Sequence, residues 1–410
     1  MNDSRKIAVI GGGAAGFFGA ITCASANPKL NVTIFEKSGK LLSKVRISGG
    51  GRCNVTNNCA DISDLIKNYP RGGRELRGAF SRFGPPETMQ WFEERGVKLK
   101  TEDDRRVFPE SDQSSSIVNC LLHEAERTGV KIITGKGVKG MQITSKKFTL
   151  SFDDQTEEEF DDVLITTGGS PSADFYRWIE KAGHTIQQPV PSLFTFNLSD
   201  KKITRLMGVS LSNVKVSIEG SKSFSEGPLL VTHWGLSGPV ILKLSSHCAR
   251  EIAEKNYKFH VVLNWINSSE TELRERFAEM RKNNPRKTFR NISEFDFPKR
   301  FWEYLLEKSQ VDPEKQNGQS TREEMNRLVA AMYHDKYEVS GKTTFKEEFV
   351  TCGGVDLSEI NFKKMESRLH PHLHFAGEIL DIDAVTGGFN FQAAWTGAYI
   401  AGMAIAEREG

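Results

Sequence analysis

The spacing of apolar residues predicts the first elements directly. Residues 6–10 (KIAVI) form a run short enough for one buried strand, small apolar residues at helical spacing follow from Ala14, and 31–35 (NVTIF) is a second short apolar run. This order of strand, helix and strand opens a parallel βαβ unit. Residues 162–165 (DVLI) and 374–378 (HFAGE) read as two further buried strands. The second leads into a helix of small residues from 389 to about 407, in which Ala393, Ala394, Gly397, Ala398, Ala401 and Gly402 suit close helix–sheet packing. Residues 141–143 and 148–150 alternate like a hairpin. Residues 89–94 and 116–127 have amphipathic helical spacing, with Pro85 and Pro86 ahead of one and Gly129 closing the other. The runs 193–198, 214–218 and 259–263 are strand-like, which predicts a small sheet or barrel. From about 270 to 333 charged residues at helical spacing take over, with a turn at Asn317-Gly318. Residues 349–355 lead the chain back.

The organisation that follows is α/β: a Rossmann-like dinucleotide domain of three layers, split by an insert. Its first part covers 1–190. The insert covers 191–345, β-rich over 191–268 and helical over 269–345. The second part of the dinucleotide domain covers 346–410. The proline-rich stretch 188–193 marks the first boundary.

Chemistry enters where the first strand meets the first helix. Gly11, Gly13 and Gly16 form G-x-G-x-x-G, and Glu36 closes the second strand. Gly11 allows the tight turn, Gly13 lets a pyrophosphate approach the backbone, and Gly16 lets helix and strand pack closely. The helix N-terminus, beginning at Ala14 and Ala15, offers unpaired N–H groups to the phosphates. Glu36 can accept the ribose hydroxyls. Gly135, Gly137 and Gly140 repeat the spacing, but a hairpin pattern follows them, so they read as turn glycines.

The next segment favours FAD over a plain NAD domain. Residues 37–57 (KSGKLLSKVRISGGGRCNVTN) are basic, glycine-dense and without helical period. The expected form is an irregular loop that wraps an extended cofactor, with Lys37, Lys40, Lys44, Arg46 and Arg52 as cations and Gly51 close to the flavin. Such a glycine run is costly to order without a ligand. The strand 162–165 ends in Thr167-Gly168-Gly169, which resembles the A-T-G turn of two-dinucleotide-fold flavoproteins. Gly377-Glu378 resembles their late Gly-Asp motif, whose carboxylate binds the ribityl chain. Glu378 is one methylene longer than that Asp, so Asp381 or Asp383 can share the role. Gly388, Phe389 and Asn390 open the last helix, whose N-terminus would stabilise negative charge on a flavin.

Taken together, VIGGGAAG (9–16), SGGGRCNVTN (48–57), THWGLSGP (232–239) and the run 376–402 resemble the BaiN-like, or YhiN-type, flavoproteins. The resemblance runs from Lys6 to about Gly402. It implies a FAD-dependent oxidoreductase, a split FAD domain carrying a β-rich and a small helical insert, and Val138 beside the adenine. It implies no particular substrate.

Composition narrows the partners. The formal charge is +2, from 55 basic and 53 acidic side chains, so no overall field draws nucleic acid or membrane. The apolar runs fall short of a membrane span. The first strand begins almost at the N-terminus, so no leader is expected, and the six cysteines show no C-x-x-C spacing. The expectation is a cytoplasmic protein with reduced thiols and no metal. Cys53 and Cys59 are the pair to test for a flavin-coupled disulfide. His370, His372 and His374 would share one face of a strand but lack a partner acid.

His233, in the turn before the helix 240–253, is the weak candidate for a proton donor, with Ser237 capping that helix. Arg71, Arg74, Arg77 and Arg82, interleaved with Phe80 and Phe83, are the stretch that could meet RNA. The function expected is FAD-dependent oxidation or reduction of a small organic molecule, with NAD(P)H as a transient reductant over the flavin. An amine or amino-acid oxidase using O2, a flavin-dependent RNA modifier and a non-catalytic flavin binder are the alternatives.

Overall fold

The computed structural model describes residues 4–144, 147–292, 294–343 and 350–408. They fall into two compact units, one within 1–192 and 346–410 and one within 193–345.

The first unit is built on a parallel sheet. Strands β1 (Lys6–Ile10), β2 (Asn31–Glu36), β3 (Lys131–Thr134), β4 (Asp162–Ile165) and β5 (Leu373–Phe375) lie in the order β5-β4-β1-β2-β3. The register places Ile10 beside Phe35 and Ile165, and Ile165 beside Phe375, so these strands end together on one edge. Two short antiparallel strands, Glu366–Ser367 and Ile360–Asn361, extend the sheet beyond β5. Helix α1 (Ala14–Ala26) packs against helix α2 (Phe389–Ala406), which comes from the other end of the chain. Phe35 meets Phe152 and Phe160 of a three-stranded antiparallel sheet, Val138–Ile143, Phe148–Phe152 and Glu157–Phe160. The hairpin pairs Met141 with Leu150 and Ile143 with Phe148.

The small residues of α2 serve helix–helix as well as helix–sheet packing. A Cβ on Gly402 would stand 2.7 Å from the Gly19 carbonyl oxygen of α1, and a Cβ on Gly397 would stand 3.5 Å from Ala376 Cβ beyond β5. Trp395 is fully buried and donates its indole N–H to Val55 O.

The second unit is a closed barrel of six antiparallel strands, Thr195–Leu198, Gly235–Ser237, Phe224–Val231, Ser210–Ile218, Phe259–Asn264 and Asp335–Thr343, in that order around the barrel. Helices Glu270–Asn283, Lys299–Ser309 and Arg322–Tyr333 precede the last strand. That strand corrects the boundary at 269, because it lies inside the stretch assigned to the helical piece. Its alternation is disguised by a buried acid. Asp335 faces inward, where Trp265 Nε1, Tyr337 OH and Lys308 Nζ donate to it.

Local readings shift elsewhere. Pro85 and Pro86 sit inside the first turn of the helix Pro85–Glu93, where a missing N–H costs nothing. Gly238, at φ 95°, is the N-cap of Pro239–His247, so Ser237 ends a strand and does not cap. The expected helix 240–253 breaks at Cys248 into Pro239–His247 and Ala249–Glu254. Only 373–375 of the histidine segment is extended, and the three rings do not share a face: His370 bonds Ala182 O, His374 bonds Lys364 O, and His372 has φ 71°. Among the described residues no group of His, Cys, Asp and Glu is arranged to hold a metal, and no helix is long and apolar enough to cross a membrane. Phe349, the expected start of the returning strand, lies outside the described residues, and the strand begins at Val350.

Two predictions follow from this packing. Gly402→Val forces a branched side chain onto Gly19 O and Thr22, and should cost about 1–3 kcal/mol in denaturant unfolding; Gly39→Ala, with open space around its Cβ, should cost little. Burial lowers the pKa of both His184 and His374 below the usual 6.5. The unfolded chain therefore binds more protons as pH falls below that value, and stability declines. The melting temperature should drop between about pH 7 and pH 5, less steeply in His374→Gln; a flat profile in the wild type would contradict this.

Candidate functional site: a dinucleotide cradle at the strand ends

The β1–α1 turn is shaped by contacts that only glycine permits. Gly11, at φ 114°, donates its N–H to Phe35 O, and a Cβ there would lie 2.5 Å from Thr166 O. A Cβ on Gly16 would lie 1.9 Å from Gly11 O. Gly13 differs, because a Cβ there would meet nothing within 4 Å. It is the N-cap of α1, no side chain caps that helix, and no acid stands in its first turn, which Ala14 and Ala15 open. The first N–H groups of α1 thus face open space with a partial positive charge, an arrangement suited to phosphate.

Glu36 is fixed beside this turn. One oxygen accepts from Gly12 N at 2.8 Å and the other from Ser38 N at 2.9 Å. Each oxygen keeps further acceptor capacity for a ribose hydroxyl. The strand end carrying Val138 runs alongside, since Lys136 N bonds Glu36 O and Gly135 N bonds Ser38 O. Lys37 is exposed, with its ammonium 5.2 Å from the Phe175 ring centre.

Across the strand edge, β4 leads into Thr166, Thr167 and Gly168. Thr166 Oγ1 donates to the carbonyls of Ile10 and Gly11 and ties the two turns together. Glu378, after β5, accepts from Thr351 N at 2.8 Å and from Lys44 Nζ at 2.5 Å. The hydroxyls of Thr167 and Thr351 are buried without a hydrogen-bond partner. Buried polar groups are nearly always paired, so the unpaired hydroxyls of Thr351, beside Glu378, and of Thr167, beside Gly11, suit polar ligand atoms. A Cβ on Gly13, Gly51 or Gly168 would enter open space. The uncapped helix, the acid by its turn, the unpaired hydroxyls and the open glycines fit the phosphates, ribose and ribityl chain of FAD.

The loop between β2 and this edge is more regular than its sequence suggests. It contains a helix, Ser43–Ile47, and a turn at Ser48–Gly51, entered through Leu42 at φ 57°, whose N–H bonds Gly12 O. A single turn is too short to show a period. Its second half is also tied down by bonds within the protein. Val55 N bonds Val107 O, Thr56 Oγ1 bonds Gln392, and Asn57 Nδ2 bonds Gly387 O. Gly51 accepts from Ser114 N.

Several expected contacts point elsewhere. Arg52 pairs with Glu102 at 2.7 Å and stacks 3.9 Å from the Phe108 ring centre. Asp383 is buried against the guanidinium of Arg71 and accepts from Ser192 Oγ, so it does not share the ribityl role. Arg71 accordingly leaves the expected RNA stripe, and Phe80 and Phe83 are buried in the core. Asn390 spans the preceding loop, bonding N–H and C=O of Ala384. Gly388, at φ 91°, is the uncapped N-cap of α2, packed against Thr56, with Phe389 buried behind it. All six cysteines are buried, and burial pushes the Cys53 thiol up to about 12, far from a reactive thiolate. His233 is exposed in the second unit, its ring edge-on to Trp234. Thr351 was not foreseen; the glycines that follow it, 353 and 354, were its only signal.

The match to known families runs over residues 5–404 and is to the HI0933-like protein Rossmann domain. The chain belongs to this family. Within it the chain is similar to the 3-dehydro-bile acid delta(4,6)-reductase of Clostridium scindens, 28% identical over 413 residues, covering 98% of this chain and all of that protein. It is also similar to the ribosomal RNA dihydrouridine synthase of Haemophilus influenzae, 27% identical over 422 residues and covering both chains fully. The fold matches that of a 3-ketosteroid-delta4-(5alpha)-dehydrogenase from Rhodococcus jostii, with a TM-score of 0.52 over 98% of this chain and 97% of that one at 12% identity. The BaiN-like resemblance of its motifs is in line with this membership.

Two substitutions separate binding from folding. Gly13→Val should abolish FAD retention while lowering the unfolding free energy of the FAD-free protein by only about 1 kcal/mol or less, whereas Gly16→Val should compromise both. Retention of a full FAD complement by Gly13→Val would sink the phosphate placement. Arg71→Ala strands a buried carboxylate and should cost about 3–5 kcal/mol in unfolding.

Proposed function

We propose that the protein is an FAD-dependent reductase of a carbon–carbon double bond conjugated to a carbonyl. One observation carries the reading: two relatives that match over their whole length are named for that one kind of reaction. A Δ4,6 double-bond system conjugated to a 3-oxo group is reduced in one, and the C5=C6 bond of uracil, conjugated to its C4 carbonyl, in the other. Neither name is that of an oxidase, so amine oxidation is not carried forward.

In this reading the N-terminus of α1 holds the pyrophosphate in front of Gly13, and Glu36 holds the adenosine ribose, with Val138 toward the adenine. Thr167, Thr351 and Glu378 take the ribityl hydroxyls. Lys44 follows Glu378, or turns to the phosphates when those hydroxyls arrive. FAD, when bound, supplies the hydride. The N-terminus of α2 at Gly388 favours negative charge beside it. The conjugated carbonyl is what makes such an acceptor reducible, because the electron pair displaced by hydride addition comes to rest on oxygen. Among the described residues the first unit carries one dinucleotide turn of this build, and in this reading NAD(P)H is a transient reductant over the flavin.

The test is anaerobic. Protein reduced by NADH or NADPH should be reoxidised by a 3-oxo-4,6-diene steroid or by uridine in RNA, with one carbon–carbon double bond saturated, and one proton taken up from solvent, for each flavin reoxidised. Failure of both acceptors, with flavin bleaching by an amine and peroxide release on admitting O2, would overturn the proposal in favour of an oxidase.

A further inference from the structure

The last turn of the helix Glu270–Asn283 and the loop that leaves it toward Lys299–Ser309 carry unusual charge. Residues 280–292 (MRKNNPRKTFRNI) hold five basic side chains and no acid, in a chain whose total is only +2. Two of the five are neutralised: Lys287 pairs with Glu294, and Arg290 with Glu303 and Glu314. Among the described residues no carboxylate pairs with Arg281, Lys282 or Arg286. Arg281 instead donates to the Gly318 carbonyl. All three are exposed, as are Asn283, Asn284 and Pro285 between them.

The segment is held rigidly. Gly318 N bonds Pro285 O, Asn317 N bonds Lys287 O, Phe289 N bonds Lys315 O, and Arg290 N bonds Pro313 O. Phe289 and Ile292 anchor it in the core. Three unneutralised cations and two amides are therefore displayed on a fixed support, so binding an anion there costs little ordering of backbone.

We propose that this basic segment, centred on Lys282 and Arg286, docks the phosphate backbone of an RNA. The inference rests on the proposed function, for which uracil in RNA is one acceptor, and it chooses the macromolecular substrate over the small enone. The composition favours RNA over a lipid surface. Pro285 is the one apolar side chain between the cations, and among the described residues no exposed aromatic or aliphatic wedge accompanies them, whereas asparagine amides can bond ribose and phosphate oxygens.

The test uses the FAD-loaded full chain and a fluorescently labelled, uridine-containing RNA hairpin, with anisotropy read across a KCl series. Wild type should bind with a negative dependence of log K on log salt. Lys282→Glu/Arg286→Glu should bind at least about tenfold more weakly, with the slope reduced by roughly 1 to 2. Lys282→Arg should bind as wild type. Circular dichroism melting of the double variant at the wild-type temperature shows that the loss is not one of folding. Wild-type affinity in the double variant would overturn the proposal, as would a wild type that ignores the hairpin but binds phosphatidylserine vesicles. Segment-dependent binding of RNA that is never reduced would uphold the docking surface and defeat the reductase reading separately.

Discussion

The first unit depends on how closely backbone can approach backbone at one edge of its sheet. Gly11 lies against the carbonyl of Thr166, Gly16 against that of Gly11, and Gly402 of α2 against that of Gly19 in α1. None of these distances would admit a Cβ. A side chain at any of them would push β1 from β4, or α1 from α2, and the strand ends would no longer meet. The same compression leaves the N-terminus of α1 uncapped and facing outward, so the constraint that packs the unit also shapes the edge where we place the phosphates.

That edge is assembled from segments far apart in sequence. Glu36 comes from the end of β2, Thr167 from the turn after β4, Thr351 from the returning strand and Glu378 from the segment after β5. The insertion between them is accommodated at an antiparallel pair. Ile186–Ser192 pairs with Val350–Val355, and Ser192 lies opposite Val350, so the chain leaves the first unit and re-enters it at one point. An insertion whose ends already meet leaves the host sheet undisturbed.

Much of this was legible because its physical signals are local. The β1–α1–β2 unit announces itself by period, by three glycines and by an acid at a fixed remove. What escaped depends on partners that sequence does not show. The helix Ser43–Ile47 is one turn long and is entered through a left-handed leucine. Asp335 breaks the alternation of the last barrel strand because Trp265, Tyr337 and Lys308 wait for it inside. Arg52 and Arg71 carry charge suited to a ligand, yet each is engaged by an acid from elsewhere, Glu102 and Asp383. The segment 280–292 was passed over for the opposite reason: its cations gain meaning only once the structure shows which of them no acid reaches.

Equilibrium binding of FAD, FMN and riboflavin to the flavin-free protein tests the central claim most directly. If the uncapped end of α1 and the carboxylate of Glu36 hold a dinucleotide, FAD binds tightly, and FMN and riboflavin, which lack the adenosine half, bind at least about a hundredfold more weakly, a loss of roughly 3 kcal/mol. Equal affinity for FMN and FAD would show that the adenosine half makes no contact with this edge, and would contradict the account.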